Sequence, residues 1–253
     1  MGTVPILRSM IIALLCGALA VFFARPLFAQ ADEDQVIAQS LADMLRAARQ
    51  VISNNQDRIN DPNLGDKGLS GEVVLRQTID IYKKTSGRDP ATIDPASRHG
   101  RLLKAQMDAI VEVTNANQAV INAKGIAFKA FIPAVFARLV DEAFESRAKD
   151  EAQVKVTAPE QLVRNRKARP DKWESEVMKN KLLTAGWPRG EPYVATADVA
   201  GHPAFRMMVP EYYAQSCLSC HGSPKGEMDI TNYPKEGGKL GDLGAVISVT
   251  LFK

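Results

Sequence analysis

Apolar residues recur at three- and four-residue steps from residue 33 to residue 54. Ile37, Leu41, Met44, Leu45, Ala48, Val51 and Ile52 make one stripe, the period of an amphipathic helix. Asp61-Pro62-Asn63 and the segment Gly65 to Gly68 break it. The spacing predicts a second helix from Ser70, as N-cap, to Lys84, with Val74, Leu75, Ile79 and Tyr82 facing inward. Residues 85–96 carry Gly87, Pro90 and Pro95 and read as a loop. A third helix is predicted from Ser97 to Ile121 through Leu103, Met107, Ile110, Val111 and Val113. Gly125 interrupts, and Pro133 fits the first turn of a fourth helix lined by Val135, Phe136, Leu139, Val140 and Phe144. Such stripes are core faces by default.

The pattern changes across residues 145–153. Val154 to Thr157 reads as a short strand. Asp171 to Glu174 has the form of a capping box opening a helix to about Leu183. Tyr193–Val199 and Ala204–Tyr212 read as strands of a hairpin around the turn Ala200-Gly201-His202-Pro203. From Leu243 to Phe252, Ile247, Val249 and Leu251 alternate with Ser248 and Thr250, which predicts a last strand with one polar face. The expected class is α+β: N-terminal helices over residues 32–150, then an antiparallel sheet over 151–253. No repeat or low-complexity segment is present.

The N-terminus has a different character. Met10 to Ala24 is an apolar run of about fifteen residues, shorter than a membrane span needs. Ala29-Gln30-Ala31 is a small-x-small cleavage pattern before the acidic start Asp32-Glu33-Asp34. Residues 1–31 therefore read as a secretory signal removed after Ala31, which implies a periplasmic protein. An uncleaved signal is the one route to membrane attachment. Residues 1–31 hold two basic residues, Arg8 and Arg25, and no acidic ones. Of 32 basic and 29 acidic residues, 30 and 29 remain, for a net charge of +1. A near-neutral chain gives no argument for nucleic acid. Cys16 leaves with the signal, so Cys217 and Cys220 are the cysteines of the remaining 222 residues. Two cysteines three apart make no disulfide framework, which points to chemistry rather than stapling.

That chemistry is written in Cys217-Leu218-Ser219-Cys220-His221. The form C-x-x-C-H is the attachment signature of a c-type haem. Two thiols add across the porphyrin vinyl groups, and the adjacent histidine becomes the proximal iron ligand. A thiol-disulfide pair and a plain surface loop are the rival readings of the two cysteines. Reactive pairs usually open a helix, whereas Gly222-Ser223-Pro224 follows here. Arg164, Arg166, Lys167 and Arg169 form a basic run, read as a solvated loop or as a contact for haem propionates or an acidic partner. No G-x-S-x-G, H-E-x-x-H or Walker loop is present, so no enzymatic activity is expected.

Four stretches together resemble a known family. FKAFIPAVFARLV (128–140), RNRKARPDKWE (164–174), AFRMMVPEYYAQSCLSCHG (204–222) and GDLGAVISV (241–249) are similar to the PAS-like c-type haem domain family of bacterial sensors and small haem proteins. The resemblance covers most of residues 33–253. It implies a PAS-like sheet flanked by N-terminal helices, with haem c between them, held by Cys217, Cys220 and His221. A covalent haem leads to one-electron transfer or redox reporting as the expected function, with gas or redox sensing through a signalling partner as the alternative and thiol-disulfide exchange by Cys217 and Cys220 behind both. Some relatives use a cysteine as second axial ligand, and the exported chain has none to spare. His99 is the first-ranked distal candidate, with Met107 and Met208 behind it and a vacant position close to equal. His202, in the expected turn, ranks low, and of Met207 and Met208 only one is expected to face the core.

Overall fold

A computed structural model describes residues 33–253. The expected signal, residues 1–31, lies outside the described residues. Residues Ile37–Lys253 form one compact unit.

Helix α1 runs over residues 33–54. Its stripe is the centre of the core: Ile37, Leu41, Met44, Leu45, Ala48, Val51 and Ile52 are all buried. A turn at Asn55 separates it from the short α2, Gln56–Asn60. Helix α3, Gly71–Ser86, starts at Ser70, whose hydroxyl accepts the Val73 N–H, and stops at left-handed Gly87. Its buried face runs Val74, Thr78, Tyr82, so Ile79 sits off the predicted stripe.

Helix α4, Arg98–Ala116, is capped by Ser97. It ends five residues before the predicted Ile121. At Asn117 the side-chain amide donates to the Val113 carbonyl, and such local bonds compete with helix continuation. The remainder forms α5, Gln118–Ile121. Helix α6, Pro133–Ala148, has Pro133 in its first turn and leaves through Lys149 at φ 52°.

The sheet follows: β1 (Ala152–Thr157), β2 (Tyr193–Val199), β3 (His202–Tyr212) and β4 (Leu243–Phe252), all antiparallel in the order β1-β4-β3-β2. Ala152, Val154, Phe205, Met207, Val209, Ile247, Val249 and Leu251 share one core with the helices. The opposite face carries the polar Ser248 and Thr250 of β4. It is covered by α7, Lys172–Val177, and a π-helical turn, Met178–Leu182, which pack against Met208 and Val246. Hence Ser248 and Thr250 are buried, and Met207 and Met208 are both buried on opposite faces. The Asp171–Glu174 capping box is formed, and Glu174 also bonds Lys155 and the buried Arg206.

The hairpin turn is tighter than predicted. Ala200 and Gly201, at φ 54° and 88°, turn the chain alone, the left-handed pair that a two-residue hairpin requires. His202 and Pro203 therefore belong to β3, opposite Val199 and Asp198. The architecture is α+β: an open four-stranded sheet packed against N-terminal helices.

Candidate functional site

The segment 213–242 joins β3 to β4 and is tied to the rest of the chain through Arg164. β3 ends at a register shift between Glu211 and Tyr212. Arg46 and Arg49 of α1 hold Glu211 at 2.6 and 3.0 Å, so α1 is tied to the strand that leads into the loop. Tyr213 continues the pairing through its N–H to the Asp242 carbonyl. Gln215–Cys217 then makes a 3-10 turn and α8, Leu218–His221, one helical turn. Ser216, beside Cys217, lies 3.5 Å from Ser53 of α1, hydroxyl to hydroxyl.

His221 is held on three sides. Its Nδ1 lies 2.9 Å from a carboxylate oxygen of Glu236. Its ring stacks on Tyr213, centroids 5.2 Å apart and planes 18° apart. Its backbone carbonyl accepts the Gly238 N–H. No described residue hydrogen-bonds Nε2. That nitrogen is therefore the one available as a ligand, because the partner of one ring nitrogen fixes the role of the other.

Arg164 is the hub of the loop. Its guanidinium spans both oxygens of Glu236 at 2.7 and 3.0 Å, reaches Asp229 at 2.6 Å and donates to the Cys220 carbonyl at 2.9 Å. Its cationic form is reinforced: burial opposes it, but the bonds to Glu236 and Asp229 win. Burial also opposes ionisation of Asp229, yet hydrogen bonds from Thr231, Arg164 and the Tyr233 N–H hold its carboxyl well below the usual range. Glu236 is lowered by Arg164 and His221 against its own burial. The sequence reads this basic run as a solvated loop or as a contact for haem propionates or an acidic partner. Arg164 has its acidic partners within the chain, Lys167 pairs with Glu142, and Arg166 and Arg169 are exposed.

Cys217 and Cys220 are free thiols, both half-buried. Burial pushes the Cys220 thiol up, the opposite of the lowered value that a thiol-exchange nucleophile needs. Among the described residues no three His, Cys, Asp or Glu side chains converge on a metal-sized site. The donor set does not fit a bare tetrahedral ion. Two thiols on adjacent turns and one free imidazole nitrogen fit the two thioethers and one axial bond of a c-type haem.

The other ligand candidates lie elsewhere. Arg98, next to His99, donates to the carbonyls of Glu151 and Phe252. That is the end of β4 remote from Asp242 and the loop. Ten strand residues span about 30 Å, so Arg98, next to His99, bonds the end of β4 opposite to the one that carries the loop. Met107 is half-buried against the helical core, and Met208 packs on the outer face with Val177, Met178 and Leu182. Tyr213, Glu236 and Asp229 escaped sequence reasoning.

A family model matches residues 29–251. The chain belongs to the Tll0287-like family. The Tll0287-like family is one of PAS-like periplasmic domains associated with c-type haem and with sensing or electron transfer, and the open sheet with its N-terminal helices agrees with that fold. Comparison with curated proteins and with solved structures gives no match. Among the described residues no helix is long and apolar enough to cross a membrane.

Proposed function

We propose that this Tll0287-like protein carries one haem, joined covalently to Cys217 and Cys220 with His221 as proximal iron ligand, and that it exchanges single electrons or reports redox state to a protein partner. The observation that carries this reading is the fixed imidazole of His221, with Nδ1 engaged by Glu236 and Nε2 left as donor, one residue from a half-buried cysteine. The haem supplies the redox chemistry. The chain binds it, shields it and sets its potential through ligand, burial and hydrogen bonds. A second reading is a haem sensor whose distal position takes a small gas; the bond from Arg98, beside His99, to the Phe252 carbonyl at the end of β4 opposite the loop supports it.

The deciding experiment is the intact mass of protein exported in a host with haem-attachment machinery. The mass should exceed that of the polypeptide by one haem. Cys217→Ala with Cys220→Ala should remove the increment, since no other thiol remains after export. A double variant that still holds haem through acid-acetone extraction rejects the assignment.

A further inference from the structure

The bonds around His221 extend beyond holding a ring in place. Nδ1 meets a full carboxylate, not a backbone carbonyl. That carboxylate is itself gripped on both oxygens by Arg164, a fork geometry that withdraws charge from it. We infer that Glu236 and Arg164 are a pair of opposed positioning residues that set how strongly His221 donates to iron, and so set the reduction potential; this rests on the proposed haem assignment.

The argument is one of charge. An anionic acceptor draws the Nδ1 proton toward itself and leaves more negative charge on the imidazole. A more basic ligand stabilises the higher oxidation state, and hydrogen-bond partners of metal-bound histidines act in this way. Glu236 therefore pulls the potential down. Arg164 competes for the same oxygens, so it weakens that pull. Arg164 also bonds the Cys220 carbonyl and the buried Asp229, so its guanidinium is fixed by groups other than Glu236. Its hold on Glu236 does not depend on the histidine.

Opposite signs make the test specific. In loaded protein, Glu236→Gln keeps an oxygen acceptor but removes the charge. It should shift the ferric–ferrous equilibrium at least tenfold toward ferrous, a rise of about 59 mV for one electron. The iron–histidine stretch in resonance Raman should fall with it. Arg164→Met leaves Asp229 buried without its cation, so it is compared on an Asp229→Asn background. There it should lower the potential relative to Asp229→Asn alone. Both variants moving the potential the same way, or Glu236→Gln moving it less than twofold at full haem content, overturns the inference while leaving the haem assignment standing. A wild type without haem overturns both. A measurement on unloaded wild type keeps the test open should the variants load poorly: nitrogen-15 shifts at pH 9 should show His221 protonated at Nδ1. Protonation at Nε2 would overturn the inference.

Discussion

The imidazole of His221 lies almost parallel to the ring of Tyr213, 18° apart with centroids at 5.2 Å. Tyr213 reaches that position because Gly238 and Gly244 leave it room. A Cβ at either glycine would overlap its ring. Gly244→Ala should therefore displace Tyr213 and cost about 1–3 kcal/mol, the usual range for overpacking. Haem content should drop while far-ultraviolet circular dichroism stays that of the wild type. Tyr213→Phe is the control. The Tyr213 hydroxyl is buried without a partner among the described residues, and burial pushes its pKa up to about 12. Removing an unpaired hydroxyl is neutral or stabilising by up to about 1 kcal/mol. Equal losses of haem in both variants would refute this account of the stack.

Acid should release the 222–241 loop late. Asp229 and Glu236 are both lowered in the fold, while in the unfolded chain they titrate near 3.9 and 4.3. A lowered carboxyl contributes stability that is complete above the unfolded value and is lost as pH falls through the folded one. Protection of the loop in hydrogen exchange should thus hold steady from neutral pH to about pH 4 and fail below it. Loss of loop protection between pH 7 and 5 would show that these ion pairs do not hold it.

Asp141 should behave in the opposite sense. This α6 carboxyl is buried between α1 and β1. Burial raises its pKa well above the usual range, against the Val156 N–H and Arg49, with Glu142 and Glu145 adding to the rise. One of its oxygens has no partner among the described residues. A raised carboxyl lowers stability progressively as pH rises from the unfolded value to the folded one. Asp141→Asn should stabilise the protein at pH 7 by on the order of 1 kcal/mol, and the gain should shrink toward zero near pH 4. Urea titrations at both values measure it. A destabilised variant at pH 7 would mean that the ionised form is satisfied.

The elements legible in the sequence were those written in local pattern. The α1 stripe, the Ser70 and Ser97 caps, the Asp171–Glu174 box and the limits of β4 each depend on residues within a few positions of one another. What was missed depends on distant partners. Ser248 and Thr250 mark a polar face, which only the structure shows to be covered by α7. Arg164 looks like one charge in a basic run. Its partner Glu236 is 72 residues away, and no spacing rule connects them. Cys217, Cys220 and His221 were read as a site because covalent attachment forces a fixed short spacing. The groups that surround them obey no such constraint.

Export is tested at the N-terminus. The apolar run, the Ala29-Gln30-Ala31 pattern and the acidic segment after it predict a mature chain beginning at Asp32. N-terminal sequencing of periplasmic protein should start there or within a few residues. Recovery of full-length chain in membranes alone would establish an uncleaved anchor.

The sixth ligand separates electron carrier from sensor. A carrier keeps both axial positions filled, so that little moves on reduction, whereas a sensor leaves one open or weakly held. His99 was the first-ranked sequence candidate, but Arg98 beside it is bonded at the Phe252 end of β4, a strand length of about 30 Å from the loop. Met208 is packed under the π-helical turn, and Met107 lies against the helical core. His99→Ala, Met107→Ala and Met208→Ala should therefore each leave the ferric spectrum of the loaded protein unchanged. Carbon monoxide separates the two readings: a sensor's open distal side should bind it when reduced, and a carrier's filled one should not. Loss of low-spin character in His99→Ala alone would identify His99 as the sixth ligand. A wild type that is low-spin in both oxidation states and refuses carbon monoxide would remove the sensor reading and leave the electron carrier.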